Sequence, residues 1–246
     1  MRRKALRFSA LHFFLINSQA LYIPSRYDGL DLIYRDESLI VANKPAGLLA
    51  VPGRGADKQD CLSSRVQAEF PDALVVHRLD MATSGLLLFA RGAEMQRRLS
   101  HLFRERAIQK RYVAVVTGRL EAPSGEIDLP LMRDWPNRPR QKVDHESGKP
   151  SLTRYRVLGY GEAVHPSIHQ GERNSEVTRV ELEPVTGRTH QLRVHMAAIG
   201  HPILGDMLYG GKADGGAERL LLHASTLSFA HPLSAEPLNL ASEPPF

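Results

Sequence analysis

The sequence contains a single cysteine, Cys61, and no apolar stretch long enough to cross a membrane. One cysteine excludes an internal disulfide and fits a reducing compartment. The apolar run Leu11–Ile16 is far shorter than the ~20 residues that a membrane-spanning helix needs. Internal repeats and low-complexity tracts are absent as well, which argues against a repeat architecture. These absences leave a globular protein of a reducing compartment as the expected class.

The composition supports a packed and basic protein. The chain has 246 residues, 42% of them hydrophobic, which suffices for the core of one large domain or two small ones. The formal net charge of +5 suits a polyanionic partner. Charge alone does not identify that partner, because many basic proteins bind no nucleic acid.

The pattern of apolar residues predicts a mixture of strands and helices from Asp31 onward. A turn at Arg35–Ser38 between two short apolar runs indicates a β-hairpin. Helical spacing predicts helices over 60–70, 93–106 and 189–200, the last with Thr189 as its N-cap. The polar segment His165–Ser175 is expected to be a mobile surface loop. Further strands are predicted over 74–76, 86–89, 112–116, 153–160 and 177–182.

The segment His77–Gly85 is the most informative part of the sequence. It lies between two apolar runs, Leu74–Val76 and Leu86–Phe89, that are typical of short buried strands, and Thr83–Gly85 indicates a turn. Asp80 is therefore predicted on a loop between two rigid elements, where catalytic groups are commonly positioned. The string His-Arg-Leu-Asp-Met-Ala-Thr-Ser-Gly resembles the HRLDxxTSG signature of RluA-type pseudouridine synthases, in which the aspartate is the nucleophile.

The resemblance continues along nearly all of the chain after Asp31. The segment Asp134–Val143 resembles the RluA subgroup in particular, which modifies uridines of large-subunit (23S) ribosomal RNA and of tRNA anticodon stem-loops. The remaining blocks that resemble the family are 110–118, 187–195, 200–206 and 219–224.

This resemblance implies a fold and a reaction. The fold would be α+β, with a mixed, largely antiparallel β-sheet flanked by helices and a central active-site cleft. The activity would be that of an isomerase that converts uridine to pseudouridine in RNA without a cofactor or a metal. RNA, and not DNA or a membrane, would be the partner.

The resemblance also assigns residue roles. Asp80 would be the nucleophile and Arg193 its partner cation, while Tyr112 would offer an aromatic face to the uracil and is a candidate for proton transfer at C5. Arg78 would fill the space left by the flipped base, and Leu222 would wall the base pocket. RNA contacts are expected from a proline-stiffened loop that carries Trp135, Arg138, Arg140 and Lys142.

Elementary electrostatics supports the pairing of Asp80 with a cation. A carboxylate is a nucleophile only while ionised, and burial beside a nucleobase disfavours that form. A cation at ~4 Å, in an effective dielectric of ~20, offsets this by about 4 kcal/mol. Arg193 follows Leu192 in the interior of a predicted helix, so we expect it to point inward or toward a cleft.

The expected domain organisation is simple. Residues 27–246 would form the catalytic domain, a cytoplasmic monomer without the S4 module that many relatives carry. Residues 1–26 resemble a weak secretory signal. We interpret them instead as a disordered tail or an extension from an upstream start codon, because the expected substrate is cytoplasmic RNA.

Three alternative functions remain open at this stage. A retaining glycosidase would need a second carboxylate about 5 Å from Asp80, and Asp206 or Asp36 could approach it in space. A catalytically inactive RNA-binding or ribosome-assembly factor is the second alternative. The third is a metal site, although the spacing of the candidate histidines matches no standard motif: His190, His195, His201 and His223.

Overall fold

A computed structural model describes residues 22–163, 175–210 and 217–246. Within these ranges the chain forms three α-helices and twelve strands. The helices are α1 (Leu62–Glu69), α2 (Gly92–Arg104) and α3 (Gln191–Ala198). The strands are β1 (Leu32–Arg35), β2 (Leu39–Lys44), β3 (Ala73–Val75), β4 (Ser84–Arg91), β5 (Gln109–Thr117), β6 (Ser124–Asp128), β7 (Leu131–Arg133), β8 (Gln141–Val143), β9 (Leu152–Ala163), β10 (Ser175–Pro184), β11 (Leu222–Ala230) and β12 (Pro237–Ala241).

Ten of these strands form one continuous sheet. Its order is β1-β2-β4-β11-β5-β10-β9-β6, with β3 paired to β4 and β12 paired to β11. The β11–β4 pair is parallel, and every other pair described in the sheet is antiparallel. Strands β7 and β8 form a separate hairpin. The prediction of an α+β fold with a mixed, largely antiparallel sheet is confirmed.

Strand β4 shows why its sequence is almost entirely apolar. Leu87 and Phe89 pack with α1 on one face of the sheet, whereas Leu86 and Leu88 pack with α2 on the other. A strand covered on both faces has no solvated side, so it lacks the usual alternation of polar and apolar residues. A third core cluster joins β5, β10 and α3 through Ala114, Val116, Val180, Leu182, Leu192 and Met196.

Two local predictions at the ends of these elements were wrong. Ser84 and Gly85 belong to β4 and not to a turn. Gly85 has φ of 112°, and a methyl group there would lie 2.3 Å from the carbonyl oxygen of Ala224 on β11, so the close parallel pairing requires glycine. The cap residue of α3 is His190, in the left-handed region with φ of 54°, and not Thr189.

The predicted N-terminal tail and surface loop lie largely outside the described residues. Residues 1–21 and 164–174 are not described, whereas Ser175 begins β10. The end of the predicted tail contacts the domain: the Tyr22 hydroxyl donates to the carbonyl of Asp60, and Arg65 donates to the carbonyl of Ser25. Over the part of the chain that the structure describes, no helix combines the length and apolar character needed to span a membrane.

Candidate active site

Asp80 lies on the loop between β3 and β4 and lines a cleft of about 790 Å³. Its carboxylate is 20% exposed. Leu79, next to it, is buried in the core. On the other side, the carbonyl of Met81 accepts hydrogen bonds from the backbone N–H of Gly47 and from the Lys44 ammonium. The loop is therefore held on both sides of Asp80, which limits the positions that the carboxylate can adopt.

Lys44 is a buried neighbour of the Asp80 loop that the sequence analysis did not predict. Its side chain is fully buried, and its ammonium donates to the carbonyls of Pro45, Leu48 and Met81 at 2.7–3.0 Å. Burial lowers the pKa of Lys44 to about 7, and the negative charge of Asp80 opposes that decrease. A lysine at the end of a strand is normally exposed, so no local signal in the sequence indicates this burial.

Arg193 points from α3 into the cleft, and its Nη1 lies 3.3 Å from Oδ2 of Asp80. The same guanidinium makes a bidentate pair with Asp206, in which Nε and Nη2 each donate at 2.7 Å. Burial acts to lower the pKa of Arg193, but Asp206 and then Asp80 raise it above its ordinary value. Arg193 therefore stays charged, and Asp206 fixes the plane from which it meets Asp80.

Tyr112, Leu222 and Arg78 also line this cleft. Tyr112 lies on β5, and burial, assisted by the charge of Asp80, raises the pKa of its phenol. The phenol therefore remains protonated at pH 7 and above, and it presents an uncharged aromatic surface to the cleft. Leu222 is buried on the adjacent β11, and Arg78 is exposed. The structure thus brings together five residues that the sequence analysis singled out, and their catalytic roles stay predictions.

His190 and Tyr209 form a second arrangement that the sequence analysis did not foresee. Nε2 of His190 lies 3.7 Å from Oδ2 of Asp80, and its Nδ1 lies 2.8 Å from the hydroxyl of Tyr209. Burial lowers the pKa of His190, and the charge of Asp80 opposes this. The sequence pattern indicated His190 only as a candidate metal ligand.

The predicted RNA-contacting loop is the connection of the β7–β8 hairpin, and it lies beside the cleft. Trp135 is 56% exposed, with the guanidinium carbons of Arg138 and Arg133 at 4.0 and 4.9 Å from its ring centre. Cations stacked on an exposed indole leave an amphipathic surface suited to unstacked bases. All four residues predicted to contact RNA lie outside the lining of the cleft: Trp135, Arg138, Arg140 and Lys142. One of them, Lys142, belongs to β8 and not to the connecting loop.

The other two residues of that set have partners within the protein. The guanidinium of Arg140 lies 5.4 Å from the ring centre of Tyr209, and so it faces the site. Lys142 makes an ion pair with Asp144 at 2.9 Å. Arg140 therefore connects the hairpin to the site, whereas the charge of Lys142 is already partly neutralised.

The rim of the cleft is cationic. Five of its lining residues make no ion pair with any described residue: Arg78, Arg104, Arg106, Lys110 and Arg188. By contrast, Arg97 and Arg98, away from the cleft, both pair with Glu94. The arginines of α2 therefore have different surroundings. The structure divides them: Arg97 and Arg98 are neutralised on the surface, and Arg104 lines the cleft.

Neither candidate for the second carboxylate of a retaining glycosidase is available for that role. The side chain of Asp206 is fully buried and bidentate to Arg193, so it is not free to transfer a proton. Asp36 accepts hydrogen bonds from the Tyr34 hydroxyl and from two backbone N–H groups at the β1–β2 turn. Neither carboxylate meets the requirement for a retaining glycosidase.

The candidate histidines make separate contacts and do not converge on one point. His195 contacts Thr153 and the carbonyl of Leu129, His201 contacts the carbonyl of Thr117, and His223 contacts Ser84 and Ser242. In the described ranges, no group of three or more potential ligands is placed to hold a metal ion. The four histidines therefore offer no shared coordination site.

Comparison with known proteins places this site in a family. The family model for RNA pseudouridylate synthases matches residues 38–198. The chain is 49% identical over 214 residues to the dual-specificity RNA pseudouridine synthase RluA of Vibrio cholerae, covering 87% of this chain and 82% of the relative. The protein of the same name from Escherichia coli is 47% identical over 212 residues, covering 86% and 91%.

A solved structure shows the same architecture. Human RNA pseudouridylate synthase domain containing 1 matches with a TM-score of 0.73 at 30% identity, covering 91% of this chain and 87% of that chain. The fold, the family model and these relatives together define an RNA-modifying isomerase of α+β architecture. The chain belongs to the RNA pseudouridylate synthase family. The family and the class of reaction predicted from the HRLDxxTSG motif are confirmed.

Proposed function

We propose that this enzyme uses Asp80 as its nucleophile to isomerise uridines in 23S ribosomal RNA and in tRNA anticodon stem-loops. The observation that carries the proposal is the contact of Asp80 with Arg193 in a cleft with a cationic rim. The two relatives named above carry dual specificity in their names. The resemblance of Asp134–Val143 to the RluA subgroup supports the same pair of substrates.

The reaction needs no redox step and no energy input. The N1–C1′ bond breaks, the freed uracil turns, and a C5–C1′ bond forms, while C5 loses its proton and N1 gains one. The Arg193 guanidinium stabilises the negative charge of the Asp80 carboxylate for attack at C6 or at C1′, and it needs no rearrangement because Asp206 already holds it. Tyr112 and Leu222 enclose the detached base, so that it is retained until the new bond forms.

Extruding the target base from a structured RNA costs a few kcal/mol of unstacking. Arg78 is exposed at the cleft, where its planar guanidinium can stack in the space that the base leaves. The cations of the rim then bind the flanking phosphates. We propose that the enzyme acts as a cytoplasmic monomer, consistent with its single cysteine and its RNA substrates.

Tritium release from RNA labelled at uracil C5 tests this proposal. Ribosomal RNA and tRNA from a strain deleted for the gene would be incubated separately with the wild-type protein. We expect release from both RNAs, at about one tritium per modified site. Release from one RNA alone would limit the substrate to that class. No release from either RNA, together with tight binding, would instead favour the inactive RNA-binding or assembly factor.

A further inference from the structure

The geometry points to Tyr209 as a positioning residue that couples the β7–β8 hairpin to the orientation of Asp80. The coupling runs through His190 and Arg193, and it rests on the proposed role of Asp80 as the nucleophile. Contact of RNA with the hairpin would then influence the rate of isomerisation as well as the affinity for RNA.

Tyr209 lies where the hairpin meets the active site. Its hydroxyl oxygen accepts a hydrogen bond from the backbone N–H of Gln141 on β8 at 2.8 Å, and it lies 2.8 Å from Nδ1 of His190. The ring centre is 5.4 Å from the guanidinium of Arg140 on the hairpin and 5.2 Å from that of Arg193. One side chain therefore contacts two hairpin residues and two neighbours of Asp80.

The hydrogen bonds at Tyr209 favour one tautomer of His190. Because the phenol oxygen already accepts from Gln141, its own proton is available for Nδ1 of His190. A neutral imidazole that accepts at Nδ1 carries its proton on Nε2. That atom lies 3.7 Å from Oδ2 of Asp80, so a shift of under ~1 Å would complete a hydrogen bond to the carboxylate.

The backbone of His190 supports a functional reading. The residue has φ of 54°, and its side chain does not cap α3. The left-handed conformation is unfavourable for a non-glycine residue, and such strain persists only where the surroundings hold it. Here the imidazole lies between Asp80 and Tyr209. His190 thus adopts an unfavourable backbone conformation, and this conformation places its imidazole between Asp80 and Tyr209.

The hairpin offers RNA an accessible surface outside the cleft. Trp135 at its tip is 56% exposed and stacks with Arg138. A base stacked on Trp135 would change the position of the hairpin. The contacts of Gln141 and Arg140 with Tyr209 would pass this displacement to the active site. Misplacement of a reacting group by 1 Å can cost about 100-fold in rate, so small movements suffice.

A phenylalanine substitution isolates the hydroxyl of Tyr209. Tyr209→Phe keeps the ring between the two arginines and removes only the bonds to Gln141 and His190. We expect the single-turnover rate at saturating RNA to fall about tenfold, with the Kd for RNA within about twofold of wild type. Tyr160→Phe is the matched control, because that hydroxyl also donates a hydrogen bond, to the carbonyl of Leu120, away from the cleft. It should leave the rate unchanged.

A double-mutant cycle separates coupling from general loosening. Trp135→Ala should lower the saturated rate in the wild-type background but cause no further decrease in Tyr209→Phe. Additive effects of the two substitutions would overturn the coupling. Tritium release by the wild type and its loss in Asp80→Asn test the proposed function separately, so failure of the coupling does not imply failure of the proposed function.

Two substitutions of His190 provide a test that does not depend on the stability of Tyr209→Phe. His190→Gln retains an N–H donor that can reach Asp80, whereas His190→Leu does not, and both carry the same backbone strain. The glutamine variant should stay within about threefold of the wild-type rate, and the leucine variant should lose about tenfold. Equal rates for the two variants would overturn the proposed role of His190.

Discussion

Replacing Asp206 by asparagine tests whether a second carboxylate holds the active-site cation in place. Asp206 is fully buried, Arg193 is 6% exposed, and two hydrogen bonds of 2.7 Å join them. Oδ1 of Asp206 also accepts from the backbone N–H groups of Leu208 and Tyr209. Asparagine preserves the shape of the side chain, but it removes the charge and places its N–H₂ group against a donor of Arg193 in either orientation.

The expected cost follows from the loss of one partner of a buried pair. Such a change typically destabilises a protein by about 3–5 kcal/mol, because the other charge stays buried. For a chain of this size, each kcal/mol lowers Tm by about 2–4 °C, so Asp206→Asn should lower Tm by roughly 6–20 °C. Without the carboxylate of Asp206, the orientation of Arg193 relative to Asp80 is no longer fixed. Because misplacement of a group at the reacting centre is costly, we expect the isomerisation rate to fall by up to about 100-fold even where the protein remains folded.

Thermal unfolding monitored by circular dichroism, together with single-turnover tritium release below Tm, measures both effects. Glu94→Gln is the matched control: it removes a carboxylate that pairs with the exposed Arg97 and Arg98, and it should change Tm by less than about 2 °C. A Tm and a rate for Asp206→Asn that match those of this control would refute the reasoning.

Two further predictions concern stability in acid and binding to RNA. His77 accepts a hydrogen bond from the backbone N–H of Leu88, and burial lowers its pKa to about 3. The unfolded chain, with a histidine pKa near 6.5, binds more protons between about pH 6.5 and 3, so the free energy of unfolding should fall as pH falls through that window. Urea unfolding at several pH values should show that the free energy of unfolding depends less on pH in His77→Gln than in the wild type. The same pH dependence in both proteins would contradict this. Arg104→Ala and Lys110→Ala should each reduce the slope of log Kd against log salt by about 1, whereas Arg97→Ala should not; equal slopes for all three would remove the assignment of the rim to phosphate binding.

The sequence predicted the position of Asp80 because the information is local. Apolar runs before and after the motif specify two buried strands, and the polar residues between them must form a loop. The inward direction of Arg193 was likewise predictable from its place beside Leu192 in a helix. The position of a single aspartate in a loop does not identify a reaction, so the reaction was predicted from the resemblance to a family.

The neighbours of Asp80 could not be predicted in the same way, since they depend on contacts between distant parts of the chain. Asp206 binds Arg193, which lies 13 positions earlier in the sequence. Lys44 donates a hydrogen bond to the carbonyl of Met81, which lies 37 positions later. The left-handed backbone of His190 contradicts the preference of histidine for other conformations, so the sequence favoured Thr189 as the cap. Tertiary packing decides each of these features.

Asp80→Asn provides the most direct test of the central claim, that the carboxylate of Asp80 performs the reaction in this cleft. RNA labelled at uracil C5 would be incubated with the wild type and with the variant, and the Kd of each for the same RNA would be measured in parallel. The account predicts tritium release by the wild type, no release by Asp80→Asn, and affinities that differ by less than about tenfold, since the rim cations are unchanged. Release by Asp80→Asn at a rate near that of the wild type would contradict it.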